Sequence, residues 1–62
     1  MKYFKMFKDK CEWFEITRAE AIHTLDGTYR EEVVPEMLHY METHPCHDVK
    51  CMFSFLRAEE DD

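Results

Sequence analysis

Apolar and polar residues alternate in two short stretches near the start of the chain, which predicts two β-strands. Residues 3–8 are rich in aromatic and other apolar side chains, and residues 11–16 alternate charged with aromatic or aliphatic ones. Asp9 and Lys10 separate the two stretches. We therefore expect a tight turn there, joining the strands into an antiparallel hairpin.

A helix is predicted to follow, over residues 18–26. Thr17 and Glu20 have the spacing of a capping box, in which the threonine hydroxyl accepts from the backbone N–H three residues later. Gly27 is the only glycine of the chain and comes directly after the apolar pattern ends. A glycine at that position favours a left-handed residue that ends the helix.

The next stretch has two interpretations, because Pro35 interrupts a helical pattern. One is a single kinked helix over residues 29–43. The other is a short turn over residues 29–33, followed by a helix that begins near Pro35 and ends near Thr43. We favour the second, since proline disfavours helical geometry in the residue before it and is well tolerated in the first turn.

Residues 49–56 have the strongest strand pattern of the chain. Val49, Cys51, Phe53 and Phe55 alternate with another set that includes Leu56, which predicts one strand that is apolar on both faces.

The order β-β-α-α-β predicts an α+β fold, with a small antiparallel sheet covered on one face by two short helices. We expect residues 1–57 to form one compact domain and residues 58–62 to form an acidic tail that frays. The uncovered sheet face is a candidate association surface. Its expected residues are Trp13, Met52 and Leu56, with either Tyr3 or Phe4.

Size and composition exclude several classes of protein. Sixty-two residues form one domain, and a domain this small buries only about 60% of its unfolded surface. Three cysteines cannot all pair within one chain, and no stretch approaches the roughly 20 apolar residues of a membrane span. We expect a cytoplasmic protein with reduced thiols, located in the host cytoplasm if it is viral.

The candidate chemistry is limited to one cluster of histidines and cysteines. His44, Cys46, His47 and Cys51 are residue types that bind zinc, although their spacing does not match the usual two pairs of ligands. The simpler interpretation is a histidine-rich turn followed by a buried Cys51, with no metal and no other cofactor. Cys46, His47 and Asp48 are sequence neighbours, which rarely converge on one substrate atom, so we expect no enzyme activity.

The charge distribution indicates a binding function. The first ten residues hold four lysines and one aspartate, whereas the other 52 hold four basic and thirteen acidic residues, and the net charge is −6. An acidic surface attracts basic surfaces on other proteins and repels phosphates. We expect a small acidic binding protein, a homodimer in solution, that inhibits or regulates a larger protein. The expected contact residues are Trp13, Tyr29, Glu31, Glu32, Glu36 and Glu42.

In length, acidity and absence of catalytic motifs, the chain resembles the small inhibitors that bacteriophages make against host defence proteins or host machinery. The resemblance is one of general character over the whole chain, so it transfers no functional residue. It implies inhibition by occupation of a basic surface.

A second binding hypothesis concerns single-stranded nucleic acid. Lysines and aromatic residues alternate in the first strand, and this combination suits a chain of stacked bases. The residues concerned are Lys2, Tyr3, Phe4, Lys5, Phe7, Lys8 and Lys10. The acidic remainder of the chain argues against this hypothesis.

Overall fold

The computed structural model describes residues 1–61, which form a four-stranded antiparallel sheet and two helices. The elements are β1 (Lys2–Phe7), β2 (Phe14–Ile16), α1 (Arg18–Asp26), α2 (Val34–Thr43), β3 (Val49–Lys50) and β4 (Ser54–Glu59). The strand order across the sheet is β2-β1-β4-β3, with every neighbouring pair antiparallel. The predicted α+β class is confirmed. The predicted order is corrected at its end, where two strands replace one. Within this part of the chain, neither helix is long and apolar enough to cross a membrane.

The core lies between the helices and one face of the sheet. Tyr3 of β1 is in register with Ile16 of β2 and with Ala58 of β4, and all three side chains are buried under the helices. Leu56, Leu25 and Met41 come from β4, α1 and α2, and each is fully buried. The core is therefore built from one row of alternating positions along each strand and one stripe along each helix.

The first helix has the predicted bounds, Arg18–Asp26, but the residue that follows it has a different conformation from the one expected. The backbone N–H of Glu20 donates to Thr17 Oγ1 at 3.1 Å, as expected for the cap. Gly27 has φ −76°, so the predicted left-handed conformation is wrong. The chain continues instead into a right-handed turn, in which the N–H groups of Thr28 and Tyr29 donate to Leu25 O at 3.0 and 2.8 Å.

The second helix follows the favoured interpretation. Residues 31–33 form a turn, and α2 begins at Val34 with Pro35 in its first turn. Proline is tolerated there because the first N–H groups of a helix have no partner within it. Glu36 lies in the same turn, where a carboxylate is favoured by the partial positive charge of the helix N-terminus.

The prediction of one strand over residues 49–56 is wrong. A bend at Cys51–Phe53 separates β3 from β4, and Cys51 N–H donates across it to Ser54 O at 2.8 Å. The bend changes which side chains face the helices, so Leu56 lies in the core instead of on the uncovered face. Phe55, the residue before Leu56 in β4, lies on the uncovered face. Phe53 is exposed in the bend.

The first connection is longer than predicted. The turn after β1 covers Lys8 and Asp9, and β2 begins only at Phe14, so residues 8–13 replace the expected two-residue turn. The other end of the chain is more ordered in its backbone than expected, since β4 continues to Glu59 and Ala58 is fully buried.

Candidate functional site

One end of the molecule exposes a group of large apolar side chains, which we call the aromatic end: Phe7, Phe14, Met52 and Phe53. Their exposed fractions are 38%, 42%, 57% and 73%. The rings of Phe7 and Phe14 lie 5.7 Å apart between centroids. Phe7, Met52 and Phe53 also line a cavity of about 280 Å³ beside the last turn of α1. An exposed apolar patch of this kind on a small protein is typical of an interaction surface.

The bend that carries Met52 and Phe53 is held by three hydrogen bonds to two other segments. Met52 N–H donates to Thr28 Oγ1 at 3.1 Å, and Lys8 N–H donates to Phe53 O at 3.1 Å. The Tyr29 hydroxyl donates to Lys50 O at 2.6 Å, immediately before the bend. The two most exposed apolar side chains of the chain therefore stand on a fixed backbone, which lowers the entropy lost on binding.

Lysines surround the aromatic end. The Lys5 side chain is half-buried, and its ammonium lies 3.3 Å from Thr24 Oγ1 and 4.9 Å from the centroid of the Phe7 ring. Lys8 Nζ lies 5.7 Å from the centroid of the Phe55 ring, on the uncovered face of the sheet. Lys10 lines a second cavity of about 290 Å³ together with Phe7, Phe14 and Glu12. Lysines therefore lie close to the apolar surface, with Glu12 among them, although the chain as a whole is acidic.

Cys51 lies at the base of this end and is buried. Burial raises the pKa of its thiol, and this effect exceeds the lowering by the Thr28 hydroxyl and by the charges of Lys5 and Lys8. The thiol is therefore protonated at neutral pH. Because the thiolate is the nucleophilic form, Cys51 is a core residue and not an activated nucleophile.

An acidic group lies at the same end of the molecule, which we call the acidic ridge: Glu31, Glu32 and Glu36. All three side chains are exposed. In the part of the chain that the structure describes, none of their carboxylates is within 4.0 Å of a lysine or arginine nitrogen. The ridge is at the aromatic end because α2 begins there, directly after Thr28 and Tyr29 contact the bend.

The remaining predicted contact residues have partners within the chain. Trp13 is half-buried, and the guanidinium carbon of Arg57 lies 4.2 Å from the centroid of its ring. The Tyr29 phenol is the donor to Lys50, and burial raises its pKa. Glu42 is at the far end of α2, where it accepts hydrogen bonds from Tyr3 and Arg18. The six predicted residues do not form one surface, and only the acidic ridge stands free.

The histidines and cysteines of the predicted cluster are not brought together. The ring of His44 stacks on Tyr40 at 4.4 Å between centroids, and His47 meets His44 edge-on at 5.9 Å. Cys46 is exposed while Cys51 is buried at the opposite end of β3. Among residues 1–61, no group of three His, Cys, Asp or Glu side chains could hold a metal ion.

Sequence reasoning missed the most exposed residues of the site. Met52 and Phe53 lie in an apolar run without glycine, proline or asparagine, so no local pattern indicates a bend there. The uncovered face of the sheet was predicted in part. Trp13 and Phe4 lie on it with Met6 and Phe55, whereas Tyr3 and Leu56 face the helices.

Comparison of the chain with models of known protein families, with curated proteins and with solved structures found no match.

Proposed function

We propose that this chain is a small non-catalytic binding protein that regulates or inhibits a larger protein by docking its aromatic end onto it. The observation that carries the proposal is the position of Phe53, which is 73% exposed on a bend held by Thr28, Lys8 and Tyr29. Burying a phenylalanine side chain stabilises a folded protein by about 1.5–3 kcal/mol. This domain does not gain that free energy, because Phe53 lies outside its core. A partner that covers Phe53 and Met52 recovers that free energy.

The acidic ridge supplies the second part of the proposal. Three exposed carboxylates attract a basic region of the partner and accelerate the encounter. Because they lie at the same end as the aromatic residues, one partner can contact both. A partner whose charges complement both the Lys5 ammonium and the acidic ridge binds in a single orientation, since like charges would face each other in the reversed one.

The experiment is affinity capture of the tagged chain from its cell of origin, comparing Phe53→Ser with Tyr40→Ser. Tyr40 is also an exposed aromatic residue, 42% exposed, but it lies on α2 away from the aromatic end. We expect a partner that wild type and Tyr40→Ser retain and that Phe53→Ser loses, with unchanged melting temperature for Phe53→Ser. Equal capture by the wild type and Phe53→Ser would refute the docking surface.

Two further measurements sharpen the result. The association rate with the captured partner should fall as salt rises, because salt screens the attraction between the ridge and a basic region. Light scattering of the purified chain tests the expected homodimer. If Phe53→Ser converts a dimer into a monomer, the aromatic end binds a second copy and not a different protein.

Single-stranded nucleic acid is a second candidate, favoured by one observation. Phe7 and Phe14 are both exposed and in contact with each other, and Lys10 lines a cavity with them, as does Glu12. Aromatic rings with adjacent cations can stack on successive bases. Fluorescence anisotropy of a labelled oligonucleotide at low salt decides this candidate. An absence of binding at micromolar protein excludes it, and binding that Phe14→Ser weakens supports it.

A further inference from the structure

The cavity at the aromatic end contains one positive charge without an opposite charge. The Lys5 side chain is half-buried and lines the cavity with Phe7, Met52 and Phe53, and its ammonium donates to the Thr24 hydroxyl at 3.3 Å. Among the residues with described positions, no carboxylate oxygen lies within 4.0 Å of it. A charge that leaves bulk water usually has an ionic partner, because desolvation is otherwise uncompensated.

The other walls of the cavity narrow the chemistry that it suits. Phe7, Met52 and Phe53 present apolar surface, and Lys5 is joined by the polar side chains of His23, Thr24, Thr28 and Ser54. A volume of about 280 Å³ is at the lower limit of small-molecule sites, which begin near roughly 300 Å³. It accommodates one side chain with a neighbouring carboxylate.

We propose that this cavity binds an acidic and apolar segment of the partner, in which a carboxylate lies beside an aromatic or aliphatic side chain. The carboxylate pairs with the Lys5 ammonium, and the apolar side chain packs between Phe7 and Phe53. Lys5 is then the residue that determines specificity. The inference rests on the proposed function, since it names the chemistry of the segment that docks at the aromatic end.

The surrounding charges support an anionic segment at this position. Lys8 is close enough, together with Lys5, to lower the pKa of the buried Cys51 thiol against the larger effect of burial, so both lysines contribute positive potential at the base of the cavity. Lys8 Nζ itself lies over the Phe55 ring and makes no ion pair within residues 1–61. Lys5 is therefore the lysine that lines the cavity, and Lys8 adds positive potential from the uncovered face of the sheet, in a chain of net charge −6.

The test is a titration of the ¹⁵N-labelled full chain, followed by NMR, with N-acetylphenylalanine and with its amide. The two probes differ only in the charge of the carboxyl group. We expect the acid to bind with a millimolar dissociation constant, at least about five-fold tighter than the amide, with shifts at Lys5, Thr24 and Met52. Equal binding of acid and amide, or no saturable shift at tens of millimolar acid, would overturn the proposal.

Matched variants assign the preference to Lys5. Lys5→Gln should lose the difference between acid and amide, Lys5→Arg should keep it, and Lys10→Gln should keep it because Lys10 lines the other cavity. The dispersion of each spectrum shows whether the variant folds, and Lys5→Arg decides the question if Lys5→Gln does not. A preference that survives in folded Lys5→Gln contradicts the assignment. If oligothymidylate shifts the resonances of the same residues more strongly than the acid does, the cavity binds nucleic acid and the proposal is overturned.

The outcomes separate this inference from the function on which it rests. If Phe53→Ser loses the captured partner while Lys5→Gln retains it, the docking surface stands and the carboxylate preference is wrong. If the acid binds at Lys5 but the wild type and Phe53→Ser capture the same proteins, the cavity chemistry stands and the docking function is wrong.

Discussion

The polar contact between Tyr3, Arg18 and Glu42 joins the sheet to both helices at the end opposite the aromatic residues, and Glu42→Gln tests how much it contributes. The buried Tyr3 phenol donates to Glu42 Oε2, and Arg18 Nε donates to the same oxygen at 3.0 Å. One carboxylate thereby joins β1, the start of α1 and the end of α2. We expect Glu42→Gln to fold and to melt at a lower temperature.

The magnitude follows from the two bonds. A hydrogen bond to a charged group contributes about 1.5–3 kcal/mol and a neutral one about 0.5–1.5 kcal/mol, so the bond from Tyr3 weakens by roughly 1–1.5 kcal/mol. The side chain of Arg18 is 56% exposed, so water screens its attraction to Glu42 and the ion pair adds little. The expected loss of stability is therefore about 1–1.5 kcal/mol, from the bond of Tyr3. In a domain of this size it lowers the melting temperature by roughly 4–12 °C.

The pH dependence gives the same contact a second readout. The bond from Tyr3 and the charge of Arg18 hold the pKa of Glu42 below its ordinary value of 4.5, against the opposing effect of burial. The stabilisation is therefore complete above pH 4.5 and is lost as the pH falls through the lower pKa of the folded state. Burial and Glu42 raise the pKa of Tyr3 above 10.0, so its contribution is complete below pH 10.0 and is lost as the pH rises through that higher value.

Urea unfolding followed by Trp13 fluorescence, between pH 3 and pH 8, measures the loss of stability in Glu42→Gln and how that loss depends on acid pH. The difference between wild type and Glu42→Gln should be constant from about pH 5 to 8 and should shrink below the ordinary pKa of the carboxyl. Tyr3→Phe completes a double-mutant cycle, whose coupling free energy isolates the bond between the two side chains. A difference that persists unchanged at pH 3, or a coupling free energy near zero, would refute this account.

Three smaller changes test the backbone and the uncovered face. Gly27→Ala should raise the free energy of unfolding by about 0.4–1 kcal/mol, because φ at Gly27 is −76°, which alanine adopts without strain. The added Cβ would lie 3.6 Å from its nearest atom, Thr24 O, which is an ordinary contact. A lower melting temperature would contradict this. Cys46→Gly should also raise the free energy of unfolding, by up to about 1 kcal/mol, because φ at Cys46 is 67°, a left-handed conformation that glycine adopts without strain. The control is Cys46→Ala, which keeps the strained conformation. Arg57→Met should shift the emission of Trp13, the only tryptophan, and lower stability by about 0.5–1 kcal/mol, whereas an unchanged spectrum would show that the cation does not contact the ring in solution.

The elements that sequence analysis predicted correctly are those with local causes. The cap of α1 depends on Thr17 and Glu20, three residues apart, and the start of α2 depends on the restriction that Pro35 imposes on its own neighbours. Each of these signals acts within one turn of helix. The sequence alone therefore predicts the bounds of α1 and favours the correct one of two interpretations for α2.

The features that sequence analysis missed depend on distant partners. The bend at Met52 is held by Thr28, which is 24 residues away, and by Lys8 from the first strand. Without those hydrogen bonds, the apolar run that contains it has the pattern of a continuous strand. The same dependence explains Gly27, whose right-handed conformation follows from the turn that brings Thr28 to the bend.

The site was harder to predict than the fold because the exposure of an aromatic residue is a tertiary property. Trp13 and Tyr29 were expected as anchors by residue type, yet both have contacts within the chain, with Arg57 and Lys50. Phe53 was expected in a strand and is the most exposed of the large apolar residues that the structure describes. Composition showed that the chain has more aromatic residues than its core needs, but only the bend determines which of them reach solvent.

Stability and binding make opposite demands on the bend. A 62-residue domain has little free energy of unfolding to lose, and leaving Met52 and Phe53 in water forgoes about 1.5–3 kcal/mol for each side chain. Four hydrogen bonds nevertheless hold the backbone in the conformation that exposes them: those of Lys8, Tyr29, Cys51 and Met52. Without these hydrogen bonds, the bend would be flexible and the two side chains could collapse onto the cavity beside α1. The polar contacts oppose that collapse, and Thr28→Val removes one of them. We expect this variant to lose more free energy of partner binding than free energy of unfolding.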